Sequence, residues 1–182
     1  MNPKKALLPA PTFAEYEQAL VSVGCEISRY YLKEENDFCI QKDYPDVLKR
    51  EKPDIIFLCN PNNPTGITIP QDLLEEILET CAMQGIFMVV DECFLDFVKD
   101  PEKHTLKEKL AKYPGLFILK AFTKRYAIPG VRLGYGFCSD GEVLDRMEQS
   151  PSLECVYHGT AGRNDSTEGS RICGSRTADH FP

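Results

Sequence analysis

An α/β protein, with a mainly parallel sheet flanked by helices, is what this chain predicts, and two patterns carry the expectation. Short apolar runs bounded by turn residues alternate with stretches of helical periodicity, which is how successive βαβ units read. The strongest runs, from Asp54 to Cys59, Ile86 to Val90 and Leu116 to Leu119, are almost continuously apolar. Strands covered by helices on both faces need that pattern, whereas one-sided strands alternate. The length of 182 residues suffices to bury one core.

Taken in order, Ala6-Leu7-Leu8 predicts a short strand, and a Pro-rich turn leads to a helix from about Phe13 to Val23 that stops at Gly24. Glu26 to Leu32 is the next strand, and a short helix surrounds Tyr44 to Arg50. After the strand ending at Cys59 comes Asn60-Pro61-Asn62-Asn63-Pro64-Thr65-Gly66. The following helix has capping-box spacing between Thr68 and Gln71 and Pro70 in its first turn. Leu73, Leu74, Ile77, Leu78 and Cys81 mark its apolar face, and Gly85 ends it. Ile86 to Val90 then delivers Asp91 at a strand's carboxyl end. The polar stretch from Lys99 to Tyr113 predicts a short helix, and Leu116 to Leu119 a strand shortly before Lys124. Leu133 to Cys138 is a further strand, and Glu142 to Glu148 starts a helix.

Composition excludes several classes. A net charge of -7 and a pI near 5.1, with no basic stripe interleaved with aromatics, argue against a nucleic-acid or acidic-membrane partner. No apolar run approaches the roughly 20 residues of a membrane span. The eight cysteines are dispersed, without a Cys-x-x-Cys pair or a signal peptide, so reduced thiols in a cytoplasmic enzyme are expected. Cys59, Cys81 and Cys93 sit in or beside apolar runs and read as small structural hydrophobes. His104, His158 and His180 have no metal-ligand spacing, so no metal is expected. A nucleotide-binding Rossmann reading is disfavoured because no Gly-x-Gly-x-x-Gly follows the first strand.

Chemistry-bearing residues fall just past the strands, where open α/β sheets bind ligands. Asn63 offers an amide, Asp91 a carboxylate, Lys124 an amine and Arg132 a guanidinium. Pyridoxal 5'-phosphate asks for that set: a lysine for its imine, an acid at its pyridine nitrogen, a donor to its ring oxygen and a cation on its phosphate. Asp91 closes an apolar strand, where a buried charge is costly without a partner. A plain turn would also use Asn, Pro and Gly, yet it seldom needs two Asn-Pro steps between a buried strand and a helix. Glu92 and Asp96 read as structural.

The run Asn60 to Gly66, Asp91, and the eight-residue spacing from Lys124 to Arg132 in Thr123-Lys124-Arg125-Tyr126-Ala127-Ile128-Pro129-Gly130-Val131-Arg132 resemble the class I/II aminotransferases of fold type I. Within that family they resemble the branch of histidinol-phosphate aminotransferase and threonine-phosphate decarboxylase. The resemblance implies the large domain of a fold type I enzyme, incomplete here, since family members run to about twice this length. It implies Lys124 as the imine-forming, proton-moving lysine, partly desolvated and lowered in pKa by nearby cations. Asp91 would face the pyridine nitrogen, Asn63 would donate to the phenolic oxygen, and Phe13 would stack on the ring, although an amphipathic helix can also use such a Phe for core. Thr123 and Arg132 complete the cofactor-binding set. The implied reaction is transamination or decarboxylation of a small amino acid or phosphorylated amino acid through an external aldimine, in a homodimer.

Two departures stand out. Phe94 occupies a position where the family often has a tyrosine, and Ala121 one where it often has a phosphate-binding serine or threonine. Phe94 and the segment Tyr126 to Gly130 incline the reading toward the threonine-phosphate decarboxylase type. Residues 1–150 are therefore expected to be a partial cofactor-binding domain that lacks the family's N-terminal arm and its small domain. Residues 151–182 lack periodicity and read as a disordered tail. Codons can be chosen for it so that the frame one base downstream spells Arg-Pro-Trp-Ser-Val-Ser-Ile-Met-Ala-Gln, similar to the family at that place. The expectation is a frameshifted tail on an inactive fragment.

Overall fold

The computed structural model describes residues 2–128 and 133–149, and the backbone of 153–154 and 171–176. Its elements run β1 (Lys5–Ala10), α1 (Ala14–Ser22), β2 (Glu26–Tyr31), α2 (Tyr44–Glu51), β3 (Ile55–Cys59), α3 (Gln71–Gln84) and β4 (Phe87–Asp91). Then follow β5 (Leu116–Ala121), α4 (Phe122–Arg125), β6 (Leu133–Cys138), α5 (Gly141–Glu148), β7 (Leu153–Glu154) and β8 (Arg171–Arg176). The strands lie in one sheet in the order β2-β1-β3-β4-β5-β6-β8-β7. The run from β2 to β5 is parallel, while β6, β8 and β7 each pair antiparallel with their neighbours. The sheet is thus mixed, a parallel centre with an antiparallel side.

The continuous apolar runs are explained by two cores, one on each face. Along β3, Ile56 and Leu58 face one core while Ile55 and Cys59 face the other, and in β4 Met88 and Val90 oppose Val89. On the first face α3 lays down Leu73, Leu74, Ile77, Leu78 and Cys81, with Tyr44 and Leu48 of α2 beside them. Tyr16 and Leu20 of α1 and Leu144 of α5 cover the second face. Each such aliphatic side chain, fully buried, contributes about 1.5–3 kcal/mol. The helices are therefore held by the sheet more than by their own propensity.

Two local expectations are corrected. The Thr68–Gln71 capping box does not form: Pro70 is extended (ψ 139) and is itself the N-cap, so Gln71 opens the helix instead of standing three residues inside it. The side chain of Gln71 turns to Glu75 (3.1 Å) and to the Thr105 carbonyl (3.3 Å). Gly85 does end α3, in the left-handed conformation (φ 69) that glycine adopts without strain. Between Lys99 and Tyr113 there are two single 3₁₀ turns, Pro101–Lys103 and Lys107–Lys109, in place of a helix. Neighbouring side chains bind that backbone: Asn60 Nδ2 donates to the His104 carbonyl, and the Leu106 amide donates to Glu92.

Within 151–182, where no strand pattern is legible, β7 and β8 nevertheless form, with β8 paired along all six residues of β6. The outer edge of β6 presents a row of backbone donors and acceptors that any extended segment can match, so pairing there needs no side-chain periodicity. The remainder of that tail lies outside the described residues.

Candidate active site

Strand register sets the site. Cys59 of β3 pairs with Asp91 of β4, and Asp91 with Leu119 of β5, so the three strands end level and their following residues open on one edge. The Asn60 amide then donates to the Asp91 carbonyl and the Glu92 amide to that of Leu119, both at 2.9 Å. At this edge Phe13, Asn63, Asp91, Thr123 and Lys124 line one pocket of about 330 Å³, with Cys59, Cys93, Phe94 and Ala121 completing the wall. Five of the six residues expected to act together are thus brought together. Arg132 lies outside the described residues.

The Asn-Pro loop divides its labour. Asn60, fully buried, accepts from the Ile69 amide (2.9 Å) and donates to the His104 carbonyl (3.1 Å), pinning the loop to the start of α3 and to the segment before Leu106. Asn62 reaches the other way: its amide donates to the Pro11 carbonyl (3.1 Å) and to Thr65 (3.0 Å), and its oxygen accepts from the Thr12 hydroxyl (2.9 Å). That ties the loop to the turn carrying Phe13. With Asn60 and Asn62 so engaged, Asn63 is the loop's asparagine that lines the pocket.

Asp91 is buried, 7 % exposed. Its Oδ1 accepts from the Cys93 amide at 2.9 Å and its Oδ2 from the Tyr16 hydroxyl at 2.5 Å. A carboxylate has about four acceptor positions; the Cys93 thiol also bonds to this one, and capacity remains for a group in the pocket. Sequence reasoning missed Tyr16. The signal was a second aromatic three residues after Phe13, in the first turn of the helix that Phe13 caps; their rings meet edge-on at 5.5 Å. Tyr16 also stacks on Phe57 of β3, centroids 5.0 Å apart. Burial, reinforced by the Asp91 charge, pushes its phenol far above the usual range, so it stays protonated and donates.

Cys59 and Cys93, expected to be structural only, line the pocket as neutral thiols. Burial, then the Asp91 charge, pushes Cys59 up to about 11 and Cys93 higher still. Glu92 points away, into a fully buried position, where it accepts from the Thr105 hydroxyl (2.9 Å) and pairs with Lys120 (3.2 Å). Burial outweighs that pairing and holds its carboxyl above the ordinary range.

Lys124 sits on the single turn of α4, where a loop was expected, and it is exposed rather than partly desolvated. The turn stands at the open rim of the pocket, and the cation beside it, Arg125, is engaged with Asp96 at 3.1 Å. The Lys124 amine lies over the Phe94 ring, 5.3 Å from the centroid, and Phe94 offers the pocket no hydroxyl. Ala121 likewise offers the pocket no hydroxyl.

A cavity of about 400 Å³ lies at the opposite end of the strands, between the end of α3 and the starts of β4 and β5. Its charged lining residues are Lys112, set over the Tyr113 ring, and Asp140, which caps α5. No convergent acid, amine and amide set stands there. Among the described residues, no group of side chains could hold a metal ion and no helix is long and apolar enough to cross a membrane.

The family model for aminotransferase class I and II matches residues 1–160. Threonine-phosphate decarboxylase of Salmonella typhimurium is 38% identical over 149 residues, covering 82% of this chain and 40% of that protein. Histidinol-phosphate aminotransferase of Ruminiclostridium cellulolyticum is 34% identical, with 75% and 37% covered. Among solved structures, the histidinol-phosphate aminotransferase from Clostridium acetobutylicum superposes with a TM-score of 0.74 at 30% identity, over 82% of this chain and 44% of that one. The chain thus spans about two fifths of the length of the relatives it matches. With the mixed sheet, the loop after β3 and the acid closing β4 all in place, the chain belongs to the class I and II aminotransferases, a pyridoxal-phosphate-dependent family of fold type I.

Proposed function

We propose that this chain is the cofactor-binding part of an enzyme that transaminates or decarboxylates a small amino acid or phosphorylated amino acid, with a threonine-phosphate-decarboxylase-like reaction favoured. The observation that carries the reading is that Asn63, Asp91, Thr123 and Lys124, with Phe13, line one pocket. The donor set fits pyridoxal phosphate. A buried carboxylate with acceptor positions to spare suits a protonated ring nitrogen, and neutral thiols with aromatic walls suit an apolar ring. About 330 Å³ falls in the range of small-molecule sites. When bound, that cofactor supplies a sink for the electron pair released at the substrate's Cα.

The chain's own residues have separate tasks. Asp91 would hold the proton at the ring nitrogen, Asn63 would donate to the phenolic oxygen, and Phe13 would cover a ring face. Thr123 and Arg132 would bind the phosphate. Lys124 would hold the cofactor through its amine and would carry the proton at the substrate's Cα. Phe94 adds no donor at the phenolic oxygen, so Asn63 carries that task without a tyrosine. The likeness in sequence to threonine-phosphate decarboxylase supports the favoured substrate.

The wider reading takes residues 1–150 as part of the large domain, and 151–182 as a tail out of frame with the family. The complete protein would be a cytoplasmic homodimer without nucleic-acid or membrane partners; six free cysteines among the described residues agree with a reducing compartment. Without the remaining three fifths, the 182-residue chain is proposed to give no turnover. Titration with pyridoxal phosphate should give a visible absorbance band. Borohydride reduction and peptide mass analysis should then locate the adduct on Lys124, and labelling chiefly at another lysine would overturn the assignment.

A further inference from the structure

We infer that Tyr16 is a positioning residue for the cofactor's ring nitrogen, acting through Asp91; the inference rests on the function proposed above. A carboxylate on the last residue of a strand has rotamers that face either the pocket or the loop that follows. Two donors select among them here. The Cys93 amide fixes Oδ1 at 2.9 Å, and the Tyr16 hydroxyl fixes Oδ2 at 2.5 Å, from an element 75 residues away in sequence. The backbone amide alone leaves the second oxygen free to swing.

The phenol is built for that task. Tyr16 is 5 % exposed, and its ring is held between Phe57, stacked at 5.0 Å, and Phe13, edge-on at 5.5 Å. Its hydroxyl therefore cannot follow the carboxylate if the carboxylate moves. A short hydrogen bond to a charged acceptor is about twice as strong as one between neutral groups, and in a buried site it is not diluted by water. Tyr16 thus keeps Asp91 aimed, with acceptor capacity left open to the pocket. Phe13, the N-cap residue of α1, lines the pocket itself. The cap and the first turn of one helix therefore cover the pocket and orient its acid together.

The test compares binding of pyridoxal phosphate with that of its 1-deaza analogue, in which a C–H replaces the ring nitrogen. Both are followed by absorbance, on the 182-residue chain and on Tyr16→Phe, which keeps the ring packing and removes only the hydroxyl. The parent should prefer pyridoxal phosphate by tenfold or more, and Tyr16→Phe should lose most of that preference while its affinity for the deaza analogue changes less than threefold. A merely structural role would weaken both ligands alike, so an equal loss or an unchanged preference overturns the inference. Absence of a visible band with the parent would instead sink the proposed function itself, and this inference with it. A parent that binds both equally would remove Asp91 from the ring nitrogen and also defeat it.

Discussion

The two neighbouring acids Asp91 and Glu92 have opposite fates, because successive residues of a strand point to opposite faces. Asp91 faces the pocket and Glu92 the closed core, and the sequence alone offers little to tell them apart beyond the family's pattern. Glu92 is bound to Thr105, Leu106 and Lys120, so its pairing is testable. Lys120→Met should cost about 3–5 kcal/mol, the scale for stranding one member of a buried pair. The double change with Glu92→Gln should recover most of that in urea unfolding. A pH arm follows from the raised carboxyl of Glu92. Its folded form binds the proton more tightly than the unfolded form, so this group's contribution is fully present below the ordinary Glu value and is lost as pH rises through the folded one. Parent minus Glu92→Gln stability should therefore increase as pH falls from 7 toward 4.5, the exposed carboxylates cancelling in the difference. A flat difference would show that Glu92 titrates normally. What the sequence could not disclose at this scale was the pairing of Tyr16 with Asp91, because the two stand 75 residues apart and only the sheet brings them together.

At the scale of elements, packing against β6 is the tightest constraint. Gly136 pairs with Leu119 of β5 and lies under the ring of Phe117, so that a Cβ there would sit 2.2 Å from the Phe117 Cζ and 2.6 Å from its Cε1. Phe117 is itself buried and cannot simply turn away. Gly136→Ala should therefore destabilise by about 1–3 kcal/mol, the cost of overpacking. Phe117→Leu in the same chain should return part of it, a coupling that a double-mutant cycle in urea measures. Purely additive costs would mean the two residues do not meet. Legibility at this scale followed the source of order. The buried strands and α3 were readable because burial on two faces or one face writes a pattern into the sequence. The turns between Lys99 and Tyr113 were not, because their backbone is satisfied by Asn60, Gln71 and Glu92 from elsewhere. The antiparallel pairing of β6 was equally hidden, since an apolar run does not record the direction of its neighbour.

For the whole molecule, the question is whether the pocket suffices as a catalyst. It supplies a floor of β3, β4 and β5, a wall from α1 and the Asn-Pro loop, and Lys124 exposed on a rim open to solvent. A reacting centre works best closed off from water, and the chain spans only about two fifths of its relatives. The reacting Cα bond must also be held in one orientation, and such alignment is worth several kcal/mol of barrier. Among the described residues that line the pocket, the only cation is Lys124 itself. The 182-residue chain should therefore bind pyridoxal phosphate yet turn over threonine phosphate, histidinol phosphate and aromatic amino acids at no more than the rate of free cofactor. A chain extended at both ends to the length of its relatives, with residues from 151 on read in the alternative frame, should exceed that rate by at least a thousandfold on one of these substrates. Comparable turnover by the two chains would show that the short one completes the site by a route other than the missing segments, and equal inactivity would remove the proposed frame.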